Sequence, residues 1–410
     1  MVENQELPSA PDEDAEKQEQ LNLDFETMPP IDKFRELEER NAHDTAKKRR
    51  NWWIKTLLML ILVGVSIALL FTLGNIFNGE DTAHLTFGEL LHVIDWPMFG
   101  LLLGVILLYI VVESGKYAYM LKVTTGKFHF RTSVKTMFLG KYYDGITPLS
   151  TGGQPFQIYY LHKKNVPSGA ASAIPVMRYI VSIFFLSTLS VILLIITPRF
   201  LERSTVNLTV LILSWISLGI NIMFPIAITL FSIFPNACKK LIVAIVGFLA
   251  KLHIVKHKYK TTQRFVREMT EYSIAIKQFL KNIFKYVPLI ILCIIESVLF
   301  VTLPFFVVIA IADIPPTFEL AVQIACLVVI SRYTALLIPT PGNTGAMEIA
   351  STFVFVTVIS QIGGAIGWVI LVWRFVTYYV YILSGIGINI FEIIRSAVRN
   401  KRVNKNQPTE

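Results

Sequence analysis

The chain has 410 residues, 53% of them hydrophobic and 16% charged, with a net charge of +9. Its apolar residues come in blocks of about 17 to 30, long enough to cross a hydrocarbon core of roughly 30 Å, which excludes a soluble globular protein and implies a polytopic membrane protein. The three cysteines, Cys238, Cys293 and Cys326, have neither CxxC nor metal-ligand spacing, so no disulfide framework or zinc site is indicated.

The charge is unevenly placed. Residues 1–46 carry 14 acidic against 4 basic side chains, so the remainder is strongly basic. Because that basic excess sits beside apolar spans, it points to anionic lipid head groups and topology determination, not to nucleic acid. The acidic tail, 1–46, reads as a largely disordered cytoplasmic segment with no cleavable signal, in which Ile31, Phe34 and Leu37 are spaced as on a short interfacial helix.

Lys47-Lys48-Arg49-Arg50 and Trp52-Trp53 precede the first predicted span, Ile54 to about Phe77, which places the N-terminus inside. An acidic outer loop follows to Trp96, and Pro97 to Met120 returns inward. Thr136 to Leu161 is too polar for an ordinary span and is flanked by lysines, so it reads as a re-entrant hairpin entering from inside. Ala170 to Thr197 then crosses outward and Val206 to Phe234 inward, completing a first transmembrane half over 47–235.

The segment 236–285 is basic and cytoplasmic, with Phe265, Met269, Tyr272, Ile276, Phe279 and Ile283 forming one apolar stripe of an amphipathic helix. The second half, 286–394, reads as four further spans: Tyr286 to Ala312, Phe318 to about Ile338, a short piece Ala346 to Gln361 and Ala365 to Ile394. The short piece barely crosses and is the one that a second hairpin would replace. A basic cytoplasmic tail, 395–410, closes the chain. The expected fold is all-α, with about eight transmembrane helices, re-entrant or broken helices, and an inverted internal repeat.

Two polar, Pro/Gly-broken stretches stand in corresponding places of the halves. The first is Thr147-Pro148-Leu149-Ser150-Thr151-Gly152-Gly153-Gln154-Pro155, and the second runs from Pro339 to Gly345 and on to Glu348. Prolines remove backbone donors and glycines allow conformations closed to other residues, so the chain must unwind at both. Non-helical backbone is tolerated at membrane depth only where it is buried in protein or lines a wet cavity, and a matched pair of breaks marks a transporter built on internal repeats. Thr147, Gln154, Gln157, Thr340 and Asn343 supply neutral hydrogen-bonding groups there, beside Asp144, Gly152 and Gly153.

Charges inside apolar segments cost roughly 3 kcal/mol or more at the bilayer centre, so they need a function or a partner. Glu113 and Arg178 fall near predicted span ends, within snorkelling reach, whereas Glu296, Glu348 and Arg374 are deeper. Glu348 and Arg374 are candidates for an intramembrane pair, Arg178 and Arg374 for holding a phosphate, and Glu113, Glu296 and Glu348 for carrying a proton. Walker A, nucleophile-elbow and HExxH patterns are absent, so neither an enzyme, a cofactor nor a metal site is expected.

In these two motifs the sequence resembles the lysylphosphatidylglycerol synthase transmembrane family, also described as flippase-like, over about Lys47 to Arg395. The first match comprises Asp144, Pro148, Gly152-Gly153 and Tyr159-Tyr160-Leu161; the second comprises Pro339, Pro341, Gly342, Gly345 and Glu348. Gln154 and Gln157 replace an acidic residue and an arginine common in the family, and Asn343 stands where a second glycine is common. The resemblance implies translocation of a lipid, an anionic phospholipid or a polyprenyl-linked or glycosylated one, across the cytoplasmic membrane, without the soluble aminoacyl-transferring domain. A secondary transporter of a small polar solute and a non-transporting membrane scaffold are the alternatives; oligomeric state is not legible.

Overall fold

The computed structural model describes residues 86–147, 150, 152–201, 207–234, 279–312, 314–358 and 365–405, with single positions at 64, 243, 244, 266, 270, 274 and 277. All fall in the unit Ile61–Glu410. The acidic tail, the predicted first span, most of the amphipathic segment 236–285, and Pro148, Leu149 and Thr151 lie outside the described residues.

The first half contains α1 (Phe87–Val93), α2 (Trp96–Thr125), α3 (Phe130–Ile146), α4 (Gly153–Lys163), α5 (Ser168–Phe200) and α6 (Leu208–Ile233). The second contains α7 (Val287–Ile311), α8 (Phe318–Leu336), α9 (Ala346–Val358), α10 (Ile366–Arg374) and α11 (Val380–Lys405), the last two joined by a π-helical turn, Phe375–Tyr379. Local signals explain many of the ends. Thr86 and Glu89 form a reciprocal capping box on α1. Asp95 accepts the Met98 N–H at the start of α2, which stops at Gly126 in a left-handed conformation. Thr317 caps α8 in the same way as Asp95 caps α2.

Among the described residues, six helices are long and apolar enough to cross a membrane, and they coincide with six of the eight expected spans. The seventh, α9, has 13 residues, too few for a bilayer by itself. Expected polar stretches at both breaks are helix-interrupting, and α3 packs against α4 as α8 packs against α9.

Among the described residues, the most extensive helix interface is between α2 and α7, which run antiparallel. At one end the Asp95 N–H donates to the Ala310 carbonyl (3.1 Å), and at the other the Tyr119 hydroxyl donates to the Lys285 carbonyl. Two apolar cores fill the bundle. One gathers α2, α3, α4 and the first parts of α5 and α7 around Tyr117, Met137, Leu161 and Leu289; the other gathers the later parts of α5 and α7 with α8, α9 and α10 around Leu194, Val308, Val328 and Trp373. Where α5 and α7 pass from one core to the other, they carry Arg178, Ser182 and Glu296, and the polar site is built there.

Candidate functional site

The first break is closed by the protein's own side chains. Asp144 Oδ1 accepts the Gly153 N–H (2.7 Å), while Thr147 Oγ1 accepts the Gly152 N–H (2.8 Å) and donates to the Tyr143 carbonyl (2.8 Å). The end of α3 thereby caps the otherwise unpaired start of α4. The fit requires the two glycines: a Cβ on Gly153 would lie 2.5 Å from the Asp144 carboxylate, and one on Gly152 2.9 Å from the Tyr143 carbonyl. Gly153→Ala is expected to cost roughly 1–3 kcal/mol through overpacking. Combined with Asp144→Ala, the loss should be less than additive, because both changes remove one contact. Thermal unfolding of the four proteins in detergent measures this, and additive losses would contradict the cap.

The second break is a run of turns in which Gly342, Asn343 and Gly345 have φ of 58°, 56° and 80°. Glycine and asparagine are the residues that tolerate this left-handed region, which accounts for an asparagine at position 343. Glu348, fully buried, accepts the Gly345 N–H (2.7 Å) at the start of α9 through one oxygen and Arg374 Nε (2.8 Å) through the other. The Tyr379 hydroxyl donates to the same oxygen as Arg374 (3.4 Å), and the Arg374 guanidinium stacks 4.5 Å from the Tyr378 ring centre. The expected Glu348–Arg374 pair is therefore formed. The π-helical turn immediately after Arg374 sets Tyr378 and Tyr379, a distortion common at functional positions.

The two breaks touch. The Tyr378 hydroxyl donates to the Gly145 carbonyl (3.1 Å), and a Cβ on Gly342 would lie 2.8 Å from the same carbonyl and overlap the Tyr378 ring. Segments nearly two hundred residues apart thus meet backbone to backbone.

Beside this contact lies a buried cluster of charges drawn from four helices. Lys116 of α2 pairs with Glu113 (3.1 Å) and with Glu296 of α7, and it donates to Ser182 of α5 (3.1 Å), which donates to Glu296 in turn (2.9 Å). Lys141 of α3 reaches Glu113 at 2.8 Å and Arg178 of α5 reaches it at 3.8 Å. Arg178 also stacks 4.8 Å from the Tyr117 ring centre, whose hydroxyl accepts from Gln157 Nε2 (2.6 Å). Glu113 and Arg178 do not snorkel to an interface: both are buried, because neighbouring helices bring them counter-charges.

Both breaks and this cluster face one cavity of about 280 Å³. Of the side chains expected to bind substrate, Asp144, Gln157, Arg178, Asn343 and Arg374 line it, and of the expected proton carriers Glu296 does. Thr147, Gly152, Gly153, Gln154 and Thr340 are not among its lining residues; Glu113 and Glu348 are one layer back, holding Lys141 and Arg374. Arg332, Lys141, Tyr109 and Tyr381 are further lining residues, and Lys116 lies fully buried beneath it. In the sequence, Lys141 stands shortly before the first break and Arg332 shortly before the second. Lys116 was signalled only by its spacing of three from Glu113, which puts the two on one helix face. Among the described residues no group of three or more His, Cys, Asp or Glu is placed to hold a metal.

A bundle of apolar, membrane-length helices around a charged internal cavity defines a multi-pass, all-α membrane protein. Residues 48–385 match the family described as lysylphosphatidylglycerol synthase TM region, and the chain belongs to that family. The match is to a transmembrane region and is consistent with a membrane protein that handles lipid. Comparison with curated proteins and with solved structures returns no match.

Proposed function

We propose that the chain is a lipid translocase that moves the polar head group of an anionic or glycosylated lipid between leaflets of the cytoplasmic membrane while the tails stay in the bilayer. The observation that carries this reading is the wall of the cavity: two unwound elements meet at it, and Lys141, Arg178, Arg332 and Arg374 line it, so that with buried Lys116 the cations exceed Glu113, Asp144, Glu296 and Glu348 by one. An unaided phosphate-bearing head group faces a penalty of order 10 kcal/mol in hydrocarbon, which such a wall offsets by replacing lost water contacts. The volume of about 280 Å³ falls just below the roughly 300–1,000 Å³ of pockets that enclose drug-sized ligands, a fit for a head group without its tails.

Each half offers the same order of parts: a long helix (α2, α7), a helix leading to a break (α3, α8), a short helix after it (α4, α9) and a long return (α5, then α10 with α11). Since α2 and α7 are antiparallel, the order supports an inverted repeat in which α3–α4 and α8–α9 are hairpins entering from opposite faces, tips touching at Gly145 and Gly342. In this arrangement α8 and α9 replace two of the eight expected spans by a second hairpin, and both termini are cytoplasmic. Alternating access then comes from one repeat rocking against the other.

Leaflet exchange of fluorescent anionic phospholipid in proteoliposomes tests the reading. Wild-type protein is expected to accelerate exchange; Arg374→Ala is expected to reduce it at least tenfold, with Glu348→Gln intermediate because it loosens the arginine without removing it. Exchange at wild-type rate in both variants would reject the assignment.

A further inference from the structure

The base of the first hairpin carries more positive charge than its neighbours neutralise. Lys135, near the start of α3, and Lys164, just past the end of α4, both reach Glu392 Oε1 of α11, at 3.0 Å and 3.6 Å. Lys163 lies within electrostatic range of the same carboxylate and is itself exposed. Among the described residues no second carboxylate pairs with these lysines, so three ammonium groups share one counter-charge.

The cluster is held in place without being covered. The Lys135 ammonium sits 5.2 Å from the Phe391 ring centre and the Lys164 ammonium 5.2 Å from that of Tyr160, contacts that steady a cation without cancelling its charge. The two side chains stay 28% and 31% accessible, so a ligand can reach them. Beside them Phe391 and Ile394 of α11 are exposed. Depth says which ligand. With 11 residues, α4 is about 16 Å long at 1.5 Å per residue, which matches half of a roughly 30 Å hydrocarbon core. A hairpin whose tip is at mid-membrane therefore has its base at the level of the lipid phosphates. That depth rests on the re-entrant hairpin of the proposed function; the excess of charge does not.

We propose that the base of the first hairpin binds an anionic phospholipid of the surrounding leaflet, at a site separate from the central cavity. Its phosphate lies among Lys135, Lys163 and Lys164, and its upper acyl carbons lie along Phe391 and Ile394. Glu392 and the phosphate compete for the same lysines, so a bound lipid loosens the tie that Glu392 makes between the hairpin and α11. Phosphatidylcholine is disfavoured, because its own ammonium adds to the uncompensated positive charge.

Native mass spectrometry of the full chain in detergent, titrated with dioleoyl phosphatidylglycerol or dioleoyl phosphatidylcholine, tests this. All proteins carry Arg374→Ala, so that this arginine of the central cavity holds no lipid. Phosphatidylglycerol is expected to bind at least tenfold tighter than phosphatidylcholine. Lys163→Gln, a change at an exposed side chain that should leave the fold intact, is expected to weaken phosphatidylglycerol about fivefold, and Lys163→Gln/Lys164→Gln about thirtyfold. Glu392→Gln should act in the opposite sense and tighten binding about fivefold, which a purely structural ion pair would not do. Equal binding of the two lipids, no effect of the lysine changes, or no tightening by Glu392→Gln would overturn the proposal. Glycerophosphoglycerol, the same head group without its chains, binding as tightly as the lipid would uphold phosphate recognition and overturn the lipid as its source. Binding as expected, with no leaflet exchange by wild-type protein in proteoliposomes, would uphold this site and overturn translocation.

Discussion

Lys116→Met is expected to destabilise the bundle by roughly 3–5 kcal/mol, the range for removing one partner of a buried ion pair. Lys116 is completely buried, and three polar groups converge on its ammonium: Glu113, Glu296 and Ser182. Without it, the two carboxylates face each other across the α2–α7 interface with their mutual repulsion uncompensated. Lys141 and Arg178 still reach Glu113, so Glu296 is the group left exposed to the loss. The double variant Lys116→Met/Glu296→Gln should therefore recover most of the stability, as replacement of whole buried pairs by neutral groups generally does. Denaturant unfolding in detergent, followed by tryptophan fluorescence, measures both. A loss under about 1 kcal/mol in the single variant would mean that the lysine is dispensable to this cluster, since that is no more than an exposed pair is worth. If the double variant recovers stability but not lipid exchange, the cluster serves the transport cycle as well as the fold.

The outline of this fold was legible because its strongest determinants are local. Membrane-length apolar blocks are read directly from hydropathy, and Pro339, Pro341, Gly342 and Gly345 forbid a helix whatever surrounds them. The Glu348–Arg374 pair was also within reach, because two opposite charges in consecutive apolar segments have few other partners. What could not be read was where the breaks go. Asp144, Thr147, Gly152 and Gly153 read as ligand groups by type, and that their hydrogen bonds also close a turn between α3 and α4 is set by backbone geometry that composition does not carry. Lys116 is marked in the sequence only by its spacing from Glu113, and its burial follows from partners on α5 and α7 that no local pattern encodes. Arg332 stands shortly before the second break in the sequence, yet its place in the cavity depends on packing against α7 that no local pattern encodes. The short helix α1 was missed although its capping box, Thr86 to Glu89, was written in the sequence.

Gly342→Ala should have a larger effect than any other single methyl added to the breaks, on the order of 3 kcal/mol, the sum of a left-handed backbone penalty and overpacking. Two costs coincide there. The φ of 58° disfavours any side chain, and the added carbon would press on the Gly145 carbonyl at 2.8 Å and on the Tyr378 ring. Neither neighbour can yield cheaply, since one is backbone and the other is fixed by its hydrogen bond to that same carbonyl (3.1 Å). Gly126→Ala is the control: its φ of 74° is equally left-handed, but no atom lies within 4 Å of the added carbon. It should cost only the backbone share, about 1–2 kcal/mol. Tyr378→Phe removes the hydrogen bond alone, a loss of roughly 1 kcal/mol. Comparing Gly342→Ala with the control isolates the price of prising the two turns apart. If the turns must stay in contact for a head group to pass between the arginines on either side, Gly342→Ala will abolish exchange even at temperatures where the protein stays folded, whereas Gly126→Ala will not. Equal exchange by the two variants would show that contact between the breaks is a packing detail without a part in transport.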